Sequence, residues 1–460
     1  MEFFKKCQFG FSFQVCINFS LILFFLFQYH SENTNYCFLF PYVVVFLIST
    51  ILVTNHFSGI YYTSTYSLFL SSFSLFICGR FFAYILNHDL SLYNMIFFEN
   101  YTLDSLGSLK LITYLILGVC FLDLGYKLSF HKRISFITIG LNHNWMRKLC
   151  LFTLIVSPVM LLDMVGNIGS AMHHHYLSTK LWQTRNYSFP MVSLIQTLFY
   201  IGFGYSMAFS YKKVWFISIL LFMVISSLFI GARGPIATMI LFVIWFFGKN
   251  GTVKFSFKRT IAIAVTLLLS IFLLTLFIKF FSFRSIYKKE DIALLSLLAK
   301  FLYEQGISLM VFDLSMKVEN YPVLAYLQTI FPGASAIASL FGPVPVYSTG
   351  FAHALAHSLN PKLFSQGLGT DWTLFSDFYV FGGKSLTGFS IIAFLFGMGM
   401  STLQNSTNKD FWYVLLVALF MRLMFLPRST LSSIIPFTIY FFIFVVILCG
   451  IFSNVKRKCA

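Results

Sequence analysis

Ile230-Gly231-Ala232-Arg233-Gly234-Pro235-Ile236 lies between two apolar runs, at about 214–230 and 235–248. An arginine so close to hydrocarbon is costly and needs compensation. In a membrane enzyme that compensation is often an anionic substrate. Pro235 suits the first turn of a new helix, where its missing N–H is no loss. The heptapeptide therefore reads as a tight turn between two membrane spans. Arg233 stands at the N-terminus of the second span, where the helix dipole and a guanidinium together favour an anion.

The rest of the chain agrees with a membrane setting. Its 460 residues are 58% hydrophobic, 20% aromatic and only 10% charged, against about 25% charged in soluble domains. The net charge of +17 does not point to nucleic acid, because Lys and Arg concentrate on the loops of one membrane face. No long polar stretch marks a separate soluble domain. The eight cysteines are scattered, form no CxxC pair and fall mostly in apolar runs, so they read as small hydrophobes. The first apolar run follows Lys5-Lys6 and lacks a small-residue cleavage site, which predicts a retained span.

Apolar runs fall at about 11–28, 37–54, 65–86, 109–125, 149–168, 191–210, 214–230, 235–248, 260–278, 386–403, 411–426 and 432–451. They predict an all-α polytopic membrane protein with about twelve transmembrane helices. Residues 1–278 would hold the first nine helices, 279–385 one long loop, and 386–460 the last three helices and a basic tail. Lys5-Lys6, the stretch from Lys127 to Lys148, Lys212-Lys213, the stretch from Lys249 to Arg259, Lys409 and Lys456-Arg457-Lys458 all fall on one side of that count. The positive-inside rule makes this side cytoplasmic, with both termini inside. The loops at 29–36, 87–108, 169–190, 231–234, 279–385 and 427–431 then face outward. The long loop contains amphipathic stretches, for example Ile292 to Phe312, and part of it is expected to lie along the membrane surface.

Arg233, Arg284 and Arg428 stand at outer ends of predicted spans, each near Gly, Pro or Ser. A guanidinium fork matches phosphate and pyrophosphate oxygens and stays charged when partly desolvated. The alternative for each is contact with lipid headgroups. The long loop supplies acid and base candidates. His353 and His357, at i and i+4, share one helix face. No HExxH and no nearby carboxylate accompany them, so the pair points to proton transfer or structure and not to a metal. His173-His174-His175 reads as an interfacial polar tract. Asp371 and Asp377 flank a Gly-rich run, and Gly367 and Gly369 would let backbone approach a bulky ligand. Trp372, Phe375, Phe378 and Tyr379 would either stack on sugar rings or anchor the interface. Histidine is the more natural acceptor for a hydroxyl proton near neutral pH, which ranks His353 and His357 first, then Asp377, then Asp371.

Asp163 is the clear mid-span acid and Asp123 is expected near a helix end, which fits neither paired broken transporter helices nor a channel filter.

Several segments together resemble bacterial O-antigen polymerases of the Wzy type. They are Gly231-Ala232-Arg233-Gly234 between apolar helices, Gly367-Leu368-Gly369 late in the long loop, Asp377-Phe378-Tyr379 with Phe381-Gly382-Gly383, Phe396-Gly397, and Arg428 before the last span. Asp377 stands where relatives usually carry Glu. The resemblance implies a multi-pass protein of the bacterial inner membrane, with the long loop in the periplasm. It implies a glycosyltransferase that moves an undecaprenyl-pyrophosphate-linked glycan onto another lipid-linked repeat unit. No metal or other cofactor is expected. The partners it implies are the lipid-linked oligosaccharide, membrane lipids, a chain-length regulator and a flippase. Two rival functions share much of this pattern. An O-antigen ligase would use the same donor, and a lipid-linked oligosaccharide flippase would need no acid or base.

Overall fold

The computed structural model describes residues 2–95, 101–185, 192–229, 234–249 and 294–447. These segments are helical apart from turns and one short antiparallel ladder, in which Asn94 pairs with Thr102 and Met95 with Tyr101. The first helices are α1 (Glu2–Ser31), α2 (Phe40–Phe57), α3 (Thr65–Phe76), α4 (Gly79–Leu86), α5 (Ser105–His131) and α6 (His143–Arg185). After them come α7 (Val192–Phe209), α8 (Lys213–Phe229) and α9 (Gly234–Lys249). The former loop region contains α10 (Leu294–Gln305), α11 (Ser308–Lys317), α12 (Val323–Ile330), α13 (Ala334–Ser339), α14 (Phe351–Leu359), α15 (Pro361–Ser365) and α16 (Leu374–Phe381). The chain then forms α17 (Leu386–Asn405), α18 (Asp410–Phe425) and α19 (Ile435–Phe442).

Among the described residues, 7 helices are long and apolar enough to cross a membrane. They include most of α1, α2, α5, α7, α17 and α18, and the first part of α6. Three shorter apolar helices cover Lys213–Ser227, Gly234–Gly248 and Leu431–Val446. The expected run at 260–278 lies outside the described residues, as do Arg284 and the basic stretch at 250–259.

Three expectations about the runs change. Residues 65–86 form no straight span: α3 and α4 meet at a 60° bend. The bend lets α4 dock on α10, where a Cβ at Gly79 would come within 2.6 Å of the Leu302 carbonyl oxygen. The helix expected at 109–125 is longer. Asp104 caps α5 by accepting the Gly107 N–H at 2.9 Å, and α5 runs on past Lys127. The outer loop expected from 169 is helical instead, since α6 continues through His173-His174-His175 to Arg185.

Lys127, expected on a cytoplasmic loop, is fully buried in α5. Its ammonium lies 3.1 Å from an Asp123 carboxylate oxygen. Asp123, expected near a helix end, lies within α5 and also accepts from Asn18 and Tyr66, both at 2.9 Å. Gln14 donates to Asn18 and accepts from Thr54, each at 2.9 Å, and Lys127 reaches Thr54 Oγ1 at 3.3 Å. A buried charge is tolerated when paired and hydrogen-bonded. This cluster ties α1, α2, α3 and α5 together.

A close backbone joint links α5 to α17. A Cβ at Gly125 would come within 2.1 Å of the Phe394 carbonyl oxygen, and one at Gly397 within 2.1 Å of the Leu122 carbonyl oxygen. Small residues let two backbones meet where side chains would hold them apart.

The described part of the long loop is a folded cap. The described stretch from Leu294 to Phe312 is not one continuous helix. It breaks at Gly306, where a Cβ would meet the Arg80 amide nitrogen at 2.4 Å, and from Ser308 to Met316 every residue of α11 is buried. Ser315 donates to Ser376 at 2.8 Å, fixing α11 to α16.

Candidate functional site

The Gly-rich run and the turn after α18 are distant in sequence and adjacent in space. Gly367 adopts φ 83° and Asp371 adopts φ 61°. This left-handed region is easy for glycine and tolerated by aspartate. Trp372, next in the chain, is locked in the core. Its ring stacks on Phe351 at 5.4 Å and meets Tyr321 edge-on at 5.6 Å. With Trp372 held inward, Asp371 turns outward toward Arg428. Nη2 and Nε of Arg428 lie 2.9 and 3.3 Å from the same Asp371 oxygen, Oδ2. The Arg428 side chain is 25% exposed and that of Asp371 47%, so solvent reaches both.

Asp377 stands behind this pair, fully buried in the first turn of α16. Thr373 caps that helix by accepting the Ser376 N–H at 3.0 Å. Asp377 Oδ1 accepts from Trp372 Nε1 at 2.8 Å and from Thr430 Oγ1 at 3.3 Å, while Oδ2 accepts from the Leu431 N–H at 2.6 Å. Burial pushes this carboxyl up to about 7, and the three donors only partly counter it. Asp377 therefore grips the turn that carries Arg428 and does not itself face solvent.

Arg422 grips the same turn from α18. It donates from Nη1 to the Ser433 carbonyl at 2.9 Å, and its guanidinium lies 4.6 Å from the Phe437 ring centre and 5.2 Å from that of Tyr200. Its Nε is buried without a hydrogen-bond partner. Arg80 is buried and donates to the carbonyls of Leu92 and Asn94 at 3.0 and 2.6 Å. Neither arginine was singled out from the sequence. The signal was present, since a charge inside an apolar run demands a partner.

The histidines occupy another part of the cap. α14 buries Phe351, Ala354 and Leu355, and the helical period puts His353 and His357 on the opposite face. His357 stacks on Tyr347 at 4.3 Å, and Phe364 meets both histidines edge-on. Trp372, Phe375, Phe378 and Tyr379 are all buried, so they serve the core and are not open platforms for sugar rings. Arg233 lies outside the described residues. Its neighbour Gly234 is placed so that a Cβ would be 2.4 Å from the Phe425 ring, beside the Arg428 turn. Among the described residues, no group of three His, Cys, Asp or Glu side chains gathers as a metal site would require.

Residues 13–458 match the family described as O-antigen polysaccharide polymerase Wzy. The match spans almost the whole chain and includes Arg233, Asp371, Asp377 and Arg428. The chain belongs to this family. No curated protein and no solved structure matches it. Membership makes the chain a multi-pass membrane protein with a polymerase role on lipid-linked oligosaccharide repeat units. In this Wzy-family chain, the pair Arg428–Asp371 is open to solvent, with the buried Asp377 holding the turn behind it.

Proposed function

We propose that this polymerase joins undecaprenyl-pyrophosphate-linked repeat units at the periplasmic face of the bacterial inner membrane, in a bundle of about twelve spans capped by residues 279–385. The observation that carries the reading is the Arg428 fork resting on Asp371 in a turn clamped by Asp377 and Arg422. Arg428 binds the donor pyrophosphate, displacing Asp371 from the guanidinium. The freed carboxylate takes the proton of the acceptor hydroxyl as its oxygen bonds to the anomeric carbon of the donor. The bond from that carbon to the pyrophosphate oxygen breaks, and the leaving group departs with the electron pair. Its charge is stabilised by Arg428, joined by Arg233 and Arg284 from neighbouring outer ends, so that arginine does the work a metal does elsewhere. The position of Gly234 against Phe425 supports that role for Arg233.

Asp377 acts as a positioning residue. His353 and His357, first in rank by side-chain chemistry, take a place on the acceptor side, where Tyr347 and Phe364 already stack. A chain-length regulator and a flippase are the protein partners of this activity.

Deletion in the producing bacterium tests the reaction. Loss of the polymerase leaves lipid A–core capped with a single repeat unit. An uncapped core with accumulated lipid-linked polymer would mean a ligase, and single units trapped inside would mean a flippase.

A further inference from the structure

The part of the cap that precedes Tyr347 has no task in the chemistry above. From Asn320 to Pro361 the sequence contains no Asp, Glu, Lys or Arg. Within it, α12 buries Ala325 and Thr329 and sets Tyr326 edge-on against Phe351 and Phe381. The outward face is apolar. Val323 is 73% exposed, Phe331 57%, Ile337 60%, Leu340 81% and Phe341 88%. Exposed apolar surface of this extent, without a charged residue among it, marks a binding surface.

Two observations identify the occupant. First, α12 packs against Leu431–Ser433 and against α19, the start of the apolar helix Leu431–Val446. The patch thus continues the apolar exterior of a membrane helix. Second, part of the tip's backbone is paired within itself. The N–H groups of Leu340 and Phe341 bond to the carbonyls of Ile337 and Ala338 at 3.1 and 3.0 Å, and that of Ser348 bonds to Pro345 at 3.0 Å. Pro343 and Pro345 have no N–H to satisfy. Apolar surroundings favour such internal pairing, and the N–H groups of Gly342 and Val344, for which the described residues provide no backbone partner, are then met at headgroup level. A protein-binding patch, by contrast, carries a polar rim.

We infer that residues 323–346 insert into the bilayer leaflet on the Arg428 side, with lipid acyl chains as the occupant of this face. The inference needs only the membrane setting and stands whether or not the catalytic reading holds. Because α12 touches the Leu431–Ser433 turn that Asp377 and Arg422 hold, the inserted element is coupled to the turn that presents Arg428.

Photolabelling of the full chain tests this. The protein is reconstituted in vesicles of phosphatidylethanolamine and phosphatidylglycerol, part of the former carrying a diazirine in its acyl chain. After illumination, trypsin releases Val318–Lys362 as one peptide and Cys7–Arg80, which holds most of α1 and all of α2, as another. Adducts are expected on Val318–Lys362 at a yield like that of Cys7–Arg80, where Phe27 is 68% exposed. Replacing Leu340 and Phe341 together with Asp should lower the first yield several-fold and leave the second unchanged. A bare Val318–Lys362 beside a labelled Cys7–Arg80 overturns the inference, whether water or a second copy of the chain covers the patch. Equal labelling of the Asp variant overturns it as well.

Discussion

Two charge pairs of this polymerase invite comparison. Lys127 and Asp123 are fully buried, and Asn18, Tyr66 and Thr54 complete their hydrogen bonds. Arg428 and Asp371 are partly open, and both guanidinium contacts fall on one carboxylate oxygen. The first pair has little room to exchange partners. The second leaves donors and an oxygen free to meet something else. A saturated pair in a dry place holds helices together, whereas an unsaturated pair at an opening is suited to give way to a ligand.

Breaking the first pair should have the largest effect. Lys127→Met leaves Asp123 buried without its cation and should cost about 3–5 kcal/mol, read as loss of folded protein on heating in detergent. Adding Asp123→Asn should restore much of it. A single variant as stable as the wild type would end the claim that this pair holds the bundle.

Next comes the open pair. Arg428→Lys keeps the charge and loses the fork. It and Arg428→Ala should lower polymer formation by about 10²–10³-fold, at normal expression and thermal stability. Polymer of normal length from both would refute the pyrophosphate role.

The clamp between the two regions should be more modest. Trp372→Phe removes one donor from Asp377 and should cost about 0.5–1.5 kcal/mol, measured by thermal unfolding, with activity falling in step.

The same carboxyl sets a pH dependence. Its value is raised from 3.8 to about 7, so the native state holds a proton that the unfolded chain has lost. Stability from this group is full below pH 3.8 and declines as pH rises toward about 7, by up to about 1.4 kcal/mol per pH unit. Asp377→Asn should flatten that slope, and an unchanged slope would mean that another group sets it.

The smallest effects belong to the histidines. Alanine at His353 or His357 should cost about 0.5 kcal/mol or less and leave chain length near normal. Short chains from either variant, with long chains from Asp371→Asn, would return the proton-accepting role to histidine.

The spans were readable because apolar runs follow from composition alone. The seven long helices and the three shorter ones all fall on runs visible in the sequence. The bend after Phe76 was not, because it depends on α10 meeting Gly79 from far along the chain. Lys127 looked like a loop charge since its partners Thr54 and Asp123 only become neighbours after packing. At the site, the sequence marked Asp371, Asp377 and Arg428 individually. Their grouping rests on Asp377 reaching Thr430 and Leu431, a contact that no local pattern encodes. Residue chemistry favoured the histidines, and only the facing of α14 separates them from Trp372.

The glycine joint between α5 and α17 bears on how the protein comes to be active. Helices leave the ribosome in order, and early ones can settle before late ones exist. Here Gly125 waits for Phe394, and Leu122 for Gly397. The bundle cannot close until synthesis has passed α17, and the turn with Arg428 emerges later still. A half-made chain thus lacks both this joint and the turn that carries Arg428.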